Sequence, residues 1–183
     1  MNGLGKLVLR LTVGGYFFGH GMQKLAGWFG GAGPDGTGEQ FEQIGLRPGR
    51  ESALLAGASE AAGGTLLALG LFTPAAVGML TGVMTNAIRH VHKQNGLWVT
   101  EGGIEYPVVI LALLAALADE GPGQLSLDER LGIGLRGPVV AATAMGIGAA
   151  GAVYVAERGE ELFAAEDADE AMSRSSERVS VKN

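Results

Sequence analysis

Two stretches of this sequence are nearly free of charge over a telling length: residues 52–72, 21 residues with Glu60 as their one ionisable group, and residues 137–156, 20 residues with none. At about 1.5 Å of rise per residue, about 20 helical residues cross the hydrocarbon core of a bilayer. In that medium a chain satisfies its backbone only as a helix or a closed barrel. Both runs therefore point to an all-α, helical membrane protein.

Composition sharpens this reading. Hydrophobic residues make up 47% of the 183, yet aromatics only 6%, and 32 glycines accompany a charged fraction of 17%. Mean hydropathy is +0.25. Such a chain packs its helices through small side chains that let backbones approach closely. With no cysteine, disulfides, thiolate metal sites, CxxC redox chemistry and cysteine nucleophiles are all excluded. Any redox role therefore needs a bound cofactor or a partner. Net charge is −6, of which residues 157–183 hold eight acidic and four basic side chains, a net of −4, leaving −2 for the rest. No basic groove interleaved with aromatics suggests a nucleic-acid partner.

Five candidate spans follow from the apolar runs. The first, residues 4–25, starts with Lys6 and Arg10 and ends in the polar cluster His20, Gln23 and Lys24. A basic start also fits a signal peptide, but no small-x-small cleavage site follows, so a retained span is expected. Arg10 is placed either to snorkel or to face another helix. The glycine-rich loop 27–49 carries Trp28 and Phe29, suited to anchoring at the membrane boundary or to contacting a ligand. Its middle, TGEQFEQIGL, is expected to form a short interfacial helix capped by Thr37 or Gly38. The second span, 52–72, holds Glu60 roughly 12 Å inside, too deep for so short a side chain to reach the headgroups. Thr73 as cap and Pro74 in the first turn open a third span reaching Val91, with Gly78 and Gly82 as a GxxxG pair. Asn86, His90 and Lys93 are expected on one face of its polar end, with Arg89 beside His92 and Lys93. A fourth, short span begins near residues 104–106, with Glu105 at its positive end, and closes at Asp119 and Glu120. Ser126 is positioned to cap a short polar segment after it. The fifth, 137–156, shows small residues every four positions at Ala142, Gly146 and Ala150. Beyond Ala156 the chain is charged and poor in aromatics, and disorder past a first helical turn is expected there.

Several motifs in this order resemble the DoxX family of small bacterial and archaeal membrane proteins: HGMQKLAGWFGG at 20–31, GTGEQFEQIGL at 36–46, LAGASEAAGGTLLALGLFTP at 55–74, MTNAIRHVHKQNGLW at 84–98, GGIEYP at 102–107 and GPGQLSLDERLG at 121–132. The resemblance implies a four-helix membrane core over residues 1–132, similar to the bundle of the vitamin K epoxide reductase and methylamine-utilisation membrane families. A fifth transmembrane helix at 133–156 and an acidic tail at 157–183 lie outside it. It also implies an association with quinol and thiosulfate oxidation. The thiol chemistry of the vitamin K epoxide reductase relatives does not carry over, because cysteine is absent.

The polar residues inside or beside the spans form the candidate site: His20, Gln23, Lys24, Trp28, Glu60, Asn86, Arg89, His92 and Glu105. His20 and Lys24 share a helix face and, with Glu60 and Arg89, either bind an anionic or quinone-like headgroup or pair as a structural network. Glu60 is expected to pair with Lys24 or Arg89. The histidines do not suit a metal, since His90 and His92 are two apart while paired helical ligands stand three or four apart. The glycines of 27–38 lack the GxxxxGK[ST] order of a nucleotide loop. No self-contained catalytic motif is present, and no motif for a covalent cofactor. Three functions fit: a multi-pass subunit or accessory of a quinone-linked redox assembly in the cytoplasmic membrane, with protein partners there; a small-molecule or proton-coupled transporter using Glu60; or a scaffold whose tail docks a soluble partner. By the excess of basic residues, the loops after spans one and three are expected on the cytoplasmic side.

Overall fold

The computed structural model describes residues 3–180, which contain helices and turns and no strand. Long helix α1 (Gly3–Ala26) buries Lys6, Arg10, Val13, Gly14, Phe17 and Gly21, one stripe at three- and four-residue spacing. That stripe lies on α3 (Gly49–Leu69), whose buried face includes Gly57, Glu60, Gly63, Gly64 and Leu67. The approach is backbone to backbone: a Cβ added at Gly14 would strike the Gly64 carbonyl, and one at Gly21 would strike Ala61 and the Gly57 carbonyl. Small residues on both helices are thus what sets their spacing.

Between them α2 (Gly33–Gln43) lies against α3 and α1. It begins earlier than TGEQFEQIGL, because Pro34 sits in its first turn, where a missing amide N–H costs nothing. Neither Thr37 nor Gly38 caps it; both are buried inside it. Helix α3 stops at Gly70, whose φ of 61° is the left-handed conformation that glycine adopts without penalty.

Helix α4 (Thr73–Ala87) is central, packing against α3, α5 (Glu105–Glu120) and α7 (Pro138–Ser180). The core gathers around it, from Ala76, Val77, Leu80 and Met84 to Val13 and Phe17 of α1, Leu67 of α3, Ile110, Leu114 and Leu117 of α5, and Ala141 of α7. The GxxxG pair is used here: Gly78 and Gly82 lie against the carbonyls of Ala144 and Gly148. The small residues that recur every four positions on α7 are not the ones that pack. Ala142, Gly146 and Ala150 face outward, and Gly148, between them in sequence but on another face, meets Gly78. Period alone cannot say which of two small-residue faces finds a partner.

Past α4 the chain makes a π-helical turn, Ile88–His92. Its wider turn changes the angle between successive side chains from that of a continuous α-helix. The short α6 (Leu127–Leu131) has Ser126 as its cap, the side chain accepting from the Glu129 amide at 3.2 Å.

By length and composition two described helices suffice to cross a membrane, α3 and the Pro138–Leu162 part of α7. Exposed apolar side chains cover the outer surface, among them Leu4, Val8 and Leu11 on α1, Val108 and Val109 on α5, and Val139, Ile147 and Tyr154 on α7. An apolar surface this extensive is costly in water and natural in lipid. Helix α7 has 43 residues, about 64 Å at α-helical rise. It does not end after Ala156 but continues as helix through Ser180, where disorder was expected; residues 181–183 of the acidic tail lie outside the described residues.

Candidate functional site

Helices α3 and α7 both flank α4 without substantial packing on each other. The space between them is a cavity of about 840 Å³. Its floor is α4 from Pro74 and Ala75 to Asn86 and Ala87, and its walls are Ser52, Leu55, Ser59 and Glu60 of α3 and Val139, Thr143, Ile147 and Val155 of α7. Phe41 of α2, with Ile44 and Leu46 after it, closes one end. The lining is predominantly apolar, and several of its side chains, Leu55, Met79, Ile147 and Val155, are also exposed at the outer surface. The cavity is therefore a groove open sideways, toward the acyl chains if the helices stand in a bilayer. Its size is at the upper end of small-molecule sites.

Polar groups collect in the half of the groove nearest α2. The Lys24 ammonium donates to the Glu60 carboxylate at 2.6 Å, with the Glu60 side chain 6% exposed and that of Lys24 20%. Lys24 also reaches the His20 carbonyl at 3.5 Å. This is how α1 delivers a cation to the middle of α3: the close contact at Gly21 and Gly57 places the Lys24 Cβ against α3, and the flexible stem covers the rest. Asn86 donates through Nδ2 to the Ala152 carbonyl of α7 at 3.4 Å, while its Oδ1 is buried with no hydrogen-bond partner.

The other expected site residues lie elsewhere. His20 Nδ1 bonds Gln23 Oε1 at 2.9 Å on an exposed surface of α1. Trp28 is half exposed, edge-on to Phe18 and Phe29 at 6.5 and 6.1 Å, and does not line the groove. Arg89 is not the partner of Glu60; it pairs with Glu157 of α7 at 3.2 Å. His92 Nδ1 donates to the Gly102 carbonyl at 2.6 Å, and Glu105 accepts from the Val99 amide at 2.9 Å, so both pin the 93–104 loop. His90 Nδ1 donates to the Ile44 carbonyl at 3.4 Å, leaving Nε2 buried and unpartnered. The three histidines thus have three separate sets of neighbours.

A second polar cluster, at the opposite end of the bundle, is one the sequence reading passed over. Asp128 is buried and accepts from the amides of Phe72 and Thr73 at 2.8 and 3.0 Å and from the Thr73 hydroxyl at 2.7 Å. The carboxylate therefore caps α4 from 55 residues away, where Thr73 was expected to cap it. Nearby, fully buried Arg10 donates to the Leu125 carbonyl, and Lys6 donates to the Glu120 carbonyl at 2.9 Å with the Glu120 carboxylate at 3.3 Å. Arg10 packs against Gly70, where any side chain would collide with its guanidinium. It faces partner segments and does not snorkel. The one hint in sequence was a pair of basic residues, Lys6 and Arg10, four positions apart on the stripe that proved buried.

An all-helical bundle with a lipid-like exterior, a buried lysine–glutamate pair and a sideways groove belongs to the helical membrane proteins. The DoxX family model matches residues 5–93, just under half of the chain, and supports membership of that membrane-embedded family. The match takes in Lys24, Glu60 and Asn86 and ends just after the π-helical turn, so α5, α6 and α7 lie beyond it. No curated protein and no solved structure matches the chain.

Proposed function

We propose that this protein is a multi-pass subunit or accessory of a quinone- or quinol-linked redox assembly in the cytoplasmic membrane, and that the groove between α3, α4 and α7 holds a quinone-like amphiphile. In this reading α1, α3, α4 and α5 form the four-helix membrane core, and α7 is a fifth span whose extension meets protein partners. The observation that carries it is a buried ion pair, Lys24 with Glu60, lining an otherwise apolar groove of about 840 Å³. An ionisable pair within a membrane segment marks a functional place more often than a structural one. The groove supplies apolar contact for a chain or ring, and the pair with Asn86 supplies a polar end. Because the chain has no cysteine, electrons would pass by way of the bound ligand or a partner.

The test is mass spectrometry of the lipids, quinones and proteins retained after mild solubilisation, on the wild type and on Glu60→Ala. Retained quinone or quinol that falls at least severalfold in the variant supports the reading. A preparation carrying no quinone and no redox partner defeats it, and substrate flux in proteoliposomes would then favour a transporter.

A further inference from the structure

Two hydrogen-bond donors on the lining of the groove are not fully used by the protein. The Lys24 ammonium carries three N–H groups. Among the described residues it meets two acceptors, Glu60 Oε2 at 2.6 Å and the His20 carbonyl at 3.5 Å, the outer edge of hydrogen-bonding distance. At least one N–H is uncommitted, and Lys24 lines the groove with 20% of its side chain exposed. Next to Glu60 in sequence stands Ser59, also a lining residue and only partly buried. On the same two helices Thr65 and Thr85 return their hydroxyls to the carbonyls one turn back, at 2.7 and 2.8 Å. The Ser59 hydroxyl makes no such bond and has no other partner among the described residues. Neither it nor Lys24 Nζ is one of the unpartnered polar atoms sealed off from the surface.

This stretch of the wall therefore takes an acceptor. Glu60 already compensates the Lys24 ammonium, so a carboxylate or phosphate head would add a negative charge beside Glu60 in a medium of low dielectric. A hydrocarbon would leave both donors facing apolar atoms. A carbonyl oxygen has two lone pairs and no charge, and it satisfies the donors without disturbing the ion pair.

We propose that the groove binds its amphiphile by a carbonyl oxygen, which accepts from Lys24 Nζ and from the Ser59 hydroxyl while the apolar chain runs along α4 toward Pro74. That direction is apolar, with Gly78, Met79 and Ala75 on the floor and Val140 and Ile147 on the wall. The inference rests on the reading that the groove holds an amphiphile, and it names the two side chains that touch the head. Ser59 is the sharper of the two, because its hydroxyl has no bond within the protein to lose.

The probe is decyl-para-benzoquinone, isotope-labelled at its carbonyl carbons and added to the full chain in nanodiscs. Binding is followed by titration and the carbonyl by difference infrared spectroscopy. A carbonyl that accepts from an ammonium and a hydroxyl should absorb at lower wavenumber than the same probe in empty nanodiscs. Ser59→Ala should weaken binding about threefold, the scale of one neutral hydrogen bond, and reduce the shift, with melting unchanged. Lys24→Met combined with Glu60→Leu, which keeps the groove apolar, should weaken binding about tenfold and remove most of the shift. Ser59→Ala decides alone if that double variant does not fold. A bound probe whose carbonyl absorbs as it does in lipid, or whose shift survives the variants undiminished, overturns the inference, as does a probe that fails to bind. Quinone retained in the native preparation then upholds the redox reading separately. Conversely, a shift lost in the variants, with no quinone, quinol or redox partner in the native preparation, leaves this inference standing and removes the redox reading.

Discussion

At Glu60 a carboxylate 6% exposed faces an ammonium 20% exposed, and the pair is worth little to stability unless both members remain. Glu60→Gln should lower stability by about 3 kcal/mol, because Lys24 is left buried without its counter-charge. The double variant Lys24→Met, Glu60→Leu should recover most of that loss, since two apolar side chains need no compensation. Thermal unfolding of the wild type and these two variants in one detergent decides it, and a double variant no better than Glu60→Gln would count against the pair. Asp128 is the stricter case. Its removal in Asp128→Ala strands two amides and a hydroxyl at the start of α4, and a loss of about 2 kcal/mol or more is expected in the same measurement. A change under about 0.5 kcal/mol would mean that the cap is dispensable.

Among the elements, α7 tests which small residues hold the bundle together. Gly148 lies against the Gly78 carbonyl, whereas nothing stands within 4 Å of a Cβ at Gly146. Gly148→Leu should therefore force α7 off α4 and destabilise by about 1–3 kcal/mol. Gly146→Leu should stay within about 0.5 kcal/mol of the wild type, as outward substitutions do. Equal melting of the two variants would show that the α4–α7 contact is absent in the membrane. The ion pair of Arg89 with Glu157 and the approach of Gly159 to the Arg47 carbonyl fix the same helix at the α2 end. A truncation meant to spare the bundle accordingly belongs after Leu162, not at Gly159.

Over the whole molecule, the loops at 27–32 and 93–104 gather at the end where α7 leaves the bundle, and the segment 121–137 lies at the other. With α1, α3, α4, α5 and α7 all crossing, exposed positions in the first group should face one side and those in the second the opposite side. Gln94 and Glu160 belong to the first and Gln124 to the second, and the chain has no cysteine to add background. Single cysteines at these positions in sealed vesicles should react with an impermeant maleimide as two against one. Labelling of all three from the same side would reject five crossings. The basic residues divide less simply than a count implies. Lys24 and Arg89 are held in ion pairs, and Lys6 and Arg10 are buried, so the charges free to set orientation are fewer than the sequence offers.

Much of this was decided one segment at a time and could be read without a structure. Uncharged runs the length of a bilayer allow little but helices, the absence of cysteine removes a whole chemistry, and a carboxylate in the middle of span two demands a partner wherever the chain folds. Lys24 was one of two partners in view, and the site residues Lys24, Glu60 and Asn86 were all visible as polar groups in apolar surroundings. What the sequence left open was every choice between equivalent faces and distant segments. Nothing local separates Ala142, Gly146 and Ala150 from the face bearing Gly148; only the position of α4 does. Nothing near Thr73 announces that Asp128 will cap it, since the two are 55 residues apart and meet through the packing of α5 and α6. Nor does anything near Arg89 announce that it will pair with Glu157 of α7, 68 residues on, and not with Glu60. Helical period and hydropathy are properties of neighbours along the chain, while the groove exists because α3 and α7 stand on either side of α4 without meeting, a relation that belongs to the tertiary structure alone.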